Sequence, residues 1–103
     1  MRRYKVSFAA SAEQDLAVEY GWGCRSWGVA QAKKWVRAIK AAINNLKTFP
    51  EGRPLAPENG QFPYQVRQLI FQRYRVLYTV TDNTVYVIHL RGAYTEEDIE
   101  LDD

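Results

Sequence analysis

A chain of 103 residues, 47% hydrophobic and 25% charged, is expected to form one domain around one modest core, and these proportions exclude disordered and collagen-like classes. The formal charge of +2 conceals a division: Glu96, Glu97, Asp98, Glu100, Asp102 and Asp103 crowd the last eight residues, whereas all fourteen Lys and Arg precede Ala93. The expected organisation is a single basic domain over residues 1–95 followed by an acidic tail over 96–103, either solvated or folded back on the body. No apolar run is long enough for a bilayer, and the basic start leads into no signal-peptide core, so a cytoplasmic protein without membrane contact is expected. Cys24 is the only cysteine and His89 the only histidine, which excludes an intrachain disulfide and offers no metal-ligand set. No cofactor is expected.

Tyr4, Val6 and Phe8 alternate with Lys5 and Ser7, the pattern of a short strand with one apolar face. Ser11 and Gln14 have capping-box spacing, and Ala12, Leu16 and Tyr20 recur every four residues, predicting a first helix that Gly21 and Gly23 end. Ser26 is the expected cap of a longer helix from about Trp27 to Thr48. Its buried stripe is Ala32, Trp35, Val36, Ile39, Ala42, Ile43 and Leu46, with Lys33, Lys34, Arg37, Lys40 and Lys47 forming a basic flank. The two helices read as an antiparallel hairpin covering one face of a sheet, with the tryptophans as core or hairpin contacts.

Phe49-Pro50 stops the second helix, and prolines and glycines through Pro63 predict a long loop. Residues 62–91 then hold three runs rich in Val, Ile, Tyr, Phe and Thr, separated at Gln72-Arg73 and Asp82-Asn83, which is the pattern of a three-stranded antiparallel meander. The expected fold is therefore α+β, ordered β-α-α-β-β-β, with a two-helix hairpin packed on one face of a small, mainly antiparallel sheet.

Side chains alternate along strands, so register decides which residues share a surface. With Val66, Val76, Tyr78 and Ile88 placed under the helices, Arg67, Arg75, His89 and Arg91 project from the opposite face, with Leu69, Leu77 and Val87 between them. Such a cationic and apolar face suits a phosphate backbone or an acidic helix. Cleavage of RNA by its own 2′-hydroxyl asks for more: a proton acceptor, charge stabilisation and an acid for the leaving oxygen. Arginines supply the charge and His89 or Tyr94 the proton transfer, but no clear base is present.

The element order, together with Ala12-x-x-Asp15-Leu16, Leu46-x-x-Phe49-Pro50, Val66-Arg67-x-Leu69, Tyr74-Arg75-Val76-Leu77-Tyr78 and Val87-Ile88-His89, resembles the RelE/ParE superfamily of type II toxin–antitoxin toxins over residues 4 to about 91. The resemblance implies a toxin neutralised by a separately encoded antitoxin that wraps its sheet and helices. It also implies one of two targets: DNA gyrase, inhibited by ParE-like members, or ribosome-bound mRNA, cleaved by RelE-like members. For the RelE-like alternative the implied catalytic residues are Arg67, Arg75, Arg91, His89 and Tyr94. Arg75 matches an arginine that contacts the scissile phosphate, and Arg67 stands where the nucleases have a lysine. Gln65 replaces the neighbouring lysine, and Gly92-Ala93-Tyr94 with the acidic run replaces a further arginine and a C-terminal tyrosine. An always-protonated arginine is a poor base, so the expected activity is ParE-like, with the nuclease and an inactive family member as alternatives. Expected partner-binding residues are Arg67, Leu69, Arg75, Leu77, Arg91, Lys33 and Arg37.

Overall fold

In the computed structural model, residues 3–92 are described. They run β1 (Lys5–Phe8), α1 (Ala10–Trp27), α2 (Val29–Asn44), β2 (Arg67–Phe71), β3 (Tyr74–Thr81) and β4 (Thr84–Arg91), with short 3-10 turns between α2 and β2. The sheet order is β1-β4-β3-β2. The β2–β3 and β3–β4 pairs are antiparallel, and β1 lies parallel to β4 at one edge. This is the expected α+β architecture. Gln72-Arg73 and Asp82-Asn83 both form two-residue connections, with Gln72 and Asp82 at positive φ. None of the described helices is long and apolar enough to cross a membrane.

The helix boundaries differ from the sequence pattern. Gly21 and Gly23 do not end α1, which continues through Ser26 to Trp27. Gly23 is buried where the hairpin closes: a Cβ there would lie 3.1 Å from the Trp27 ring and 3.4 Å from the Ala32 Cβ. The glycine thus serves close helix approach rather than helix termination. The chain turns instead at Gly28, whose φ of 97° is open to glycine at little cost. Ser11 makes no capping box, because Ala9 is the N-cap and no side chain caps the helix. Its hydroxyl donates instead to the Ile88 carbonyl at 2.6 Å.

α2 lays Ala32, Trp35, Ile39 and Ile43 into the core as its periodicity requires. Trp35, Ile39 and Ile43 meet Leu69, Val76, Tyr78, Val85, Val87 and Leu90 of the sheet. The Tyr78 ring is fully buried, its hydroxyl donates to the Pro50 carbonyl, and burial pushes its pKa up to about 12. On the opposite face a smaller cluster joins Val66, Leu77 and Ile88 to Ala56 and Phe62 of the proline-rich segment. That segment is a clasp rather than an open loop. The Ala56 amide donates to the Val66 carbonyl at 2.7 Å, and the Val66 amide donates to the Asn59 side chain at 2.7 Å.

The two-core arrangement corrects the expected faces. Leu69 lies opposite Val76 and Phe71 opposite Tyr74, so the helices cover the Arg67, Leu69 and Phe71 side of β2. In β4 the pairing passes from Tyr78↔Val87 to Leu77↔His89, leaving Ile88 as an extra residue. This bulge puts Val85, Val87 and Leu90 under the helices and Ile88 on the other side. Strict alternation cannot anticipate an inserted residue that changes the phase of everything after it.

Candidate functional site

Three arginines were expected on one surface, and two share it. Arg75 and Arg91 lie opposite each other in the β3–β4 register. Arg67 pairs with Tyr78 and so lies on the helix side of the sheet, where its guanidinium donates to the Arg53 carbonyl at 2.6 Å. Its position at the end of a strand spares it the deep burial that would penalise an unpaired cation. Leu69 and Leu77, expected as apolar contacts between the charges, are core residues, 4% and 0% exposed.

Arg75 is already engaged. Glu58, presented by the 3-10 turn Pro57–Gln61, accepts from both terminal nitrogens at 3.0 and 2.7 Å, and Gln68 Oε1 accepts a further bond at 3.1 Å. The fork geometry is the strong, oriented form of an arginine–carboxylate pair. The Arg75 hydrogen bonds hold the Glu58 carboxyl below its ordinary pKa, with weaker support from Arg91, whose Nε is 4.0 Å away. Both side chains of the Arg75–Glu58 pair are only 15% exposed. Sequence reasoning missed Glu58, although a signal existed: a sheet arginine that is not free to reach water needs an acid, and Glu51 and Glu58 are the only acids between the second helix and the meander.

His89 does not join the arginines. Its Nδ1–H donates to the Asp15 carboxylate of α1 at 3.1 Å, and the same oxygen accepts from the Leu90 amide at 3.0 Å. β1 has by then ended, its pairing with β4 closing at Phe8↔Val87. Ser11 and Asp15, one helical turn apart, thus take over its role by satisfying β4 groups around the bulge. Asp15 of the sequence motif is therefore a strand-edge clamp. Tyr94 lies outside the described residues.

Lys33 and Arg37 occupy a different surface. With Lys40 they form the wall of a groove of about 510 Å³ between α1, α2 and β1, floored by Phe8, Leu16, Tyr20 and Val36. The groove continues along the outer edge of β1, past Arg3, Lys5 and Lys47. That edge has no neighbouring strand among the described residues, so its backbone groups can still accept one. Among the described residues Lys33, Arg37 and Lys40 make no ion pair. The same residues hold no His, Cys, Asp and Glu group able to bind a metal.

A helical hairpin on a mixed four-stranded sheet of order β1-β4-β3-β2 is the RelE/ParE-like α+β fold. Solved structures share this fold. A chain of the chromosomal ParDE system of P. aeruginosa superposes with a TM-score of 0.76 at 17% identity, covering 89% of this chain and 98% of that one. A chain of the RelBE2 toxin–antitoxin complex of Mycobacterium tuberculosis gives 0.56 at 20% identity, covering 89% and 93%. A double arginine mutant of E. coli RelE, bound to a peptide of antitoxin RelB, gives 0.54 at 20% identity, covering 98% and 95%. No curated protein matches the sequence. Residues 6–93 match the family described as the ParE toxin of the type II toxin–antitoxin system parDE. The chain belongs to that family and is the toxin component of a type II module.

Proposed function

We propose that the chain acts in the cytoplasm in the ParE-like manner, binding and inhibiting DNA gyrase, and that its antitoxin lies along the groove walled by Lys33, Arg37 and Lys40. The observation that carries this reading is the bidentate Arg75–Glu58 pair. Phosphate cleavage needs preorganised donors aimed at developing negative charge, whereas here the best-placed guanidinium is neutralised by a carboxylate. Arg67 lies on the other face and His89 is committed to Asp15, and the carboxylate beside Arg75 and Arg91, Glu58, is tied up in the Arg75 fork with its pKa lowered, which makes it a weak proton acceptor. The groove offers apolar floor, basic wall and an unpaired strand edge, which together fit an amphipathic, acidic antitoxin segment. Two neighbours are themselves described as complexes with an antitoxin.

The test is a comparison of two assays on the purified toxin. Inhibition of gyrase supercoiling, relieved by the antitoxin, with ribosome-bound mRNA left intact, is the expected result. Cleavage of that mRNA with unimpaired supercoiling overturns the reading in favour of the nuclease.

A further inference from the structure

All three tryptophans gather at one end of the molecule. Trp22 and Trp27 meet edge to face at 5.1 Å, Trp27 and Trp35 at 6.4 Å, and Trp35 lies 4.9 Å from Tyr74 beside the β2–β3 turn. Trp35 is buried, but Trp22 and Trp27 are 46% and 43% exposed, and Val18, one helical turn before Trp22, is 61% exposed. With Arg25, Arg73 and Tyr74 they line a groove of about 630 Å³. Apolar surface of this extent is costly to leave in water and marks a contact surface. Arg25 and Arg73 are exposed and make no ion pair among the described residues. The acid of the groove, Glu19, accepts from the Tyr74 hydroxyl.

This groove is separate from the one walled by Lys33 and Arg37. The two share no lining residue, although both use α1: Leu16 and Tyr20 line one, and Val18, Trp22 and Arg25 the other. That division follows the helical period, since the two sets fall on opposite sides of one cylinder. The chemistry of the aromatic end does not suit a nucleic acid. Trp22 and Trp27 stand at 88°, so they offer no common plane on which successive bases could stack, and the Glu19 carboxylate opposes a phosphate backbone. A second copy of the chain fits poorly, because a self-complementary contact would set Arg25 and Arg73 against the same cations. Tryptophan and arginine are instead the residues that dominate protein–protein contacts, and two such arginines select an acidic partner.

Resting on the gyrase reading above, we propose that the Trp22–Trp27 end is the target-binding surface and takes an acidic segment of gyrase that carries an apolar anchor. The anchor packs on the exposed indoles and Val18, and its flanking carboxylates pair with Arg25 and Arg73. Antitoxin and target therefore use opposite sides of α1. A helix is only about 10–12 Å across, so a bound antitoxin keeps a large target away by its bulk without covering the tryptophans.

The test compares gyrase and antitoxin binding by the full chain. Arg25→Glu with Arg73→Glu, which leaves the aromatic packing in place, should raise the toxin concentration for half-inhibition of supercoiling by about 30-fold and change antitoxin affinity by less than about two-fold. Trp22→Ser should act in the same direction, and the parent should bind gyrase without DNA. Inhibition by both variants equal to that of an active parent overturns the proposal and leaves the gyrase reading standing, whereas a parent that inhibits no supercoiling removes both. Equal losses of gyrase inhibition and antitoxin binding also overturn it, because the damage then is not confined to one side of α1. So do gyrase binding that appears only with DNA present, which assigns the surface to nucleic acid, and a parent dimer that the charge variant dissociates, which assigns it to a second copy.

Discussion

The two faces of the sheet treat their charges in opposite ways. Beyond the helices, Arg75 is locked by Glu58, and the residues around it are sealed by a proline-rich clasp into a small second core. On the hairpin side, Lys33, Arg37 and Lys40 stand beside an apolar groove with no ion pair among the described residues. A surface that satisfies its own cations is finished as structure, whereas one that leaves cations and apolar groups side by side is prepared for a partner. The contrast shifts attention from the arginines of the meander to the basic flank of α2.

The sharpest way to break the comparison is to damage the groove. Lys33→Glu together with Arg37→Glu should weaken antitoxin binding by roughly 100-fold, the scale of a lost interface hot spot, while leaving thermal stability nearly unchanged, because both side chains are exposed. An equal loss from Arg91→Glu would reverse the assignment of the two faces.

The next largest effect separates the faces by pH. Burial raises the Tyr78 pKa from 10.0 to about 12, so folding favours the neutral phenol. Its contribution is fully present below pH 10 and is lost as pH rises toward 12, on the order of 2–3 kcal/mol. Tyr78→Phe should flatten that part of the stability profile in denaturant titrations at several pH values. Glu58 has the opposite sign. Its depressed pKa means that its contribution is present above the ordinary carboxylate range and is lost as pH falls through the lowered value. Glu58→Gln should therefore soften the acid limb and leave the alkaline limb alone.

Arg75→Ala leaves the largely buried Glu58 carboxylate without its fork and should cost about 2 kcal/mol in unfolding free energy. The proposed gyrase inhibition should persist at temperatures where the variant remains folded. Loss of activity without loss of stability would restore Arg75 to a functional role. The smallest effect is expected for Asp15→Asn, about 1 kcal/mol, because the amide oxygen can still accept from Leu90 while its bond with His89 weakens. Faster hydrogen exchange at the Leu90 amide would locate the damage.

Much of this was legible from residue patterns. The α2 stripe, the two hairpin connections and the order of elements all follow from local periodicity, and the structure shows them. Gly23 was misread because the cost of a glycine within a helix is local, while its benefit, a close crossing beside Ala32, exists only in the folded hairpin. Arg67 was misplaced for a related reason: alternation tells which residues share a face of a strand, but not which of the two faces the helices cover.

By itself, then, the sequence determined the element types, the hairpin over a meander, the basic flank of α2 and the charge division at the tail, since each is written in neighbouring residues. Only the tertiary structure decided how the arginines are used. The Arg75–Glu58 pair spans 17 positions and the His89–Asp15 pair 74, and the Ile88 bulge reverses the phase of β4. Such pairings depend on which segments meet in space, and that is set by the burial of two cores at once rather than by any spacing along the chain.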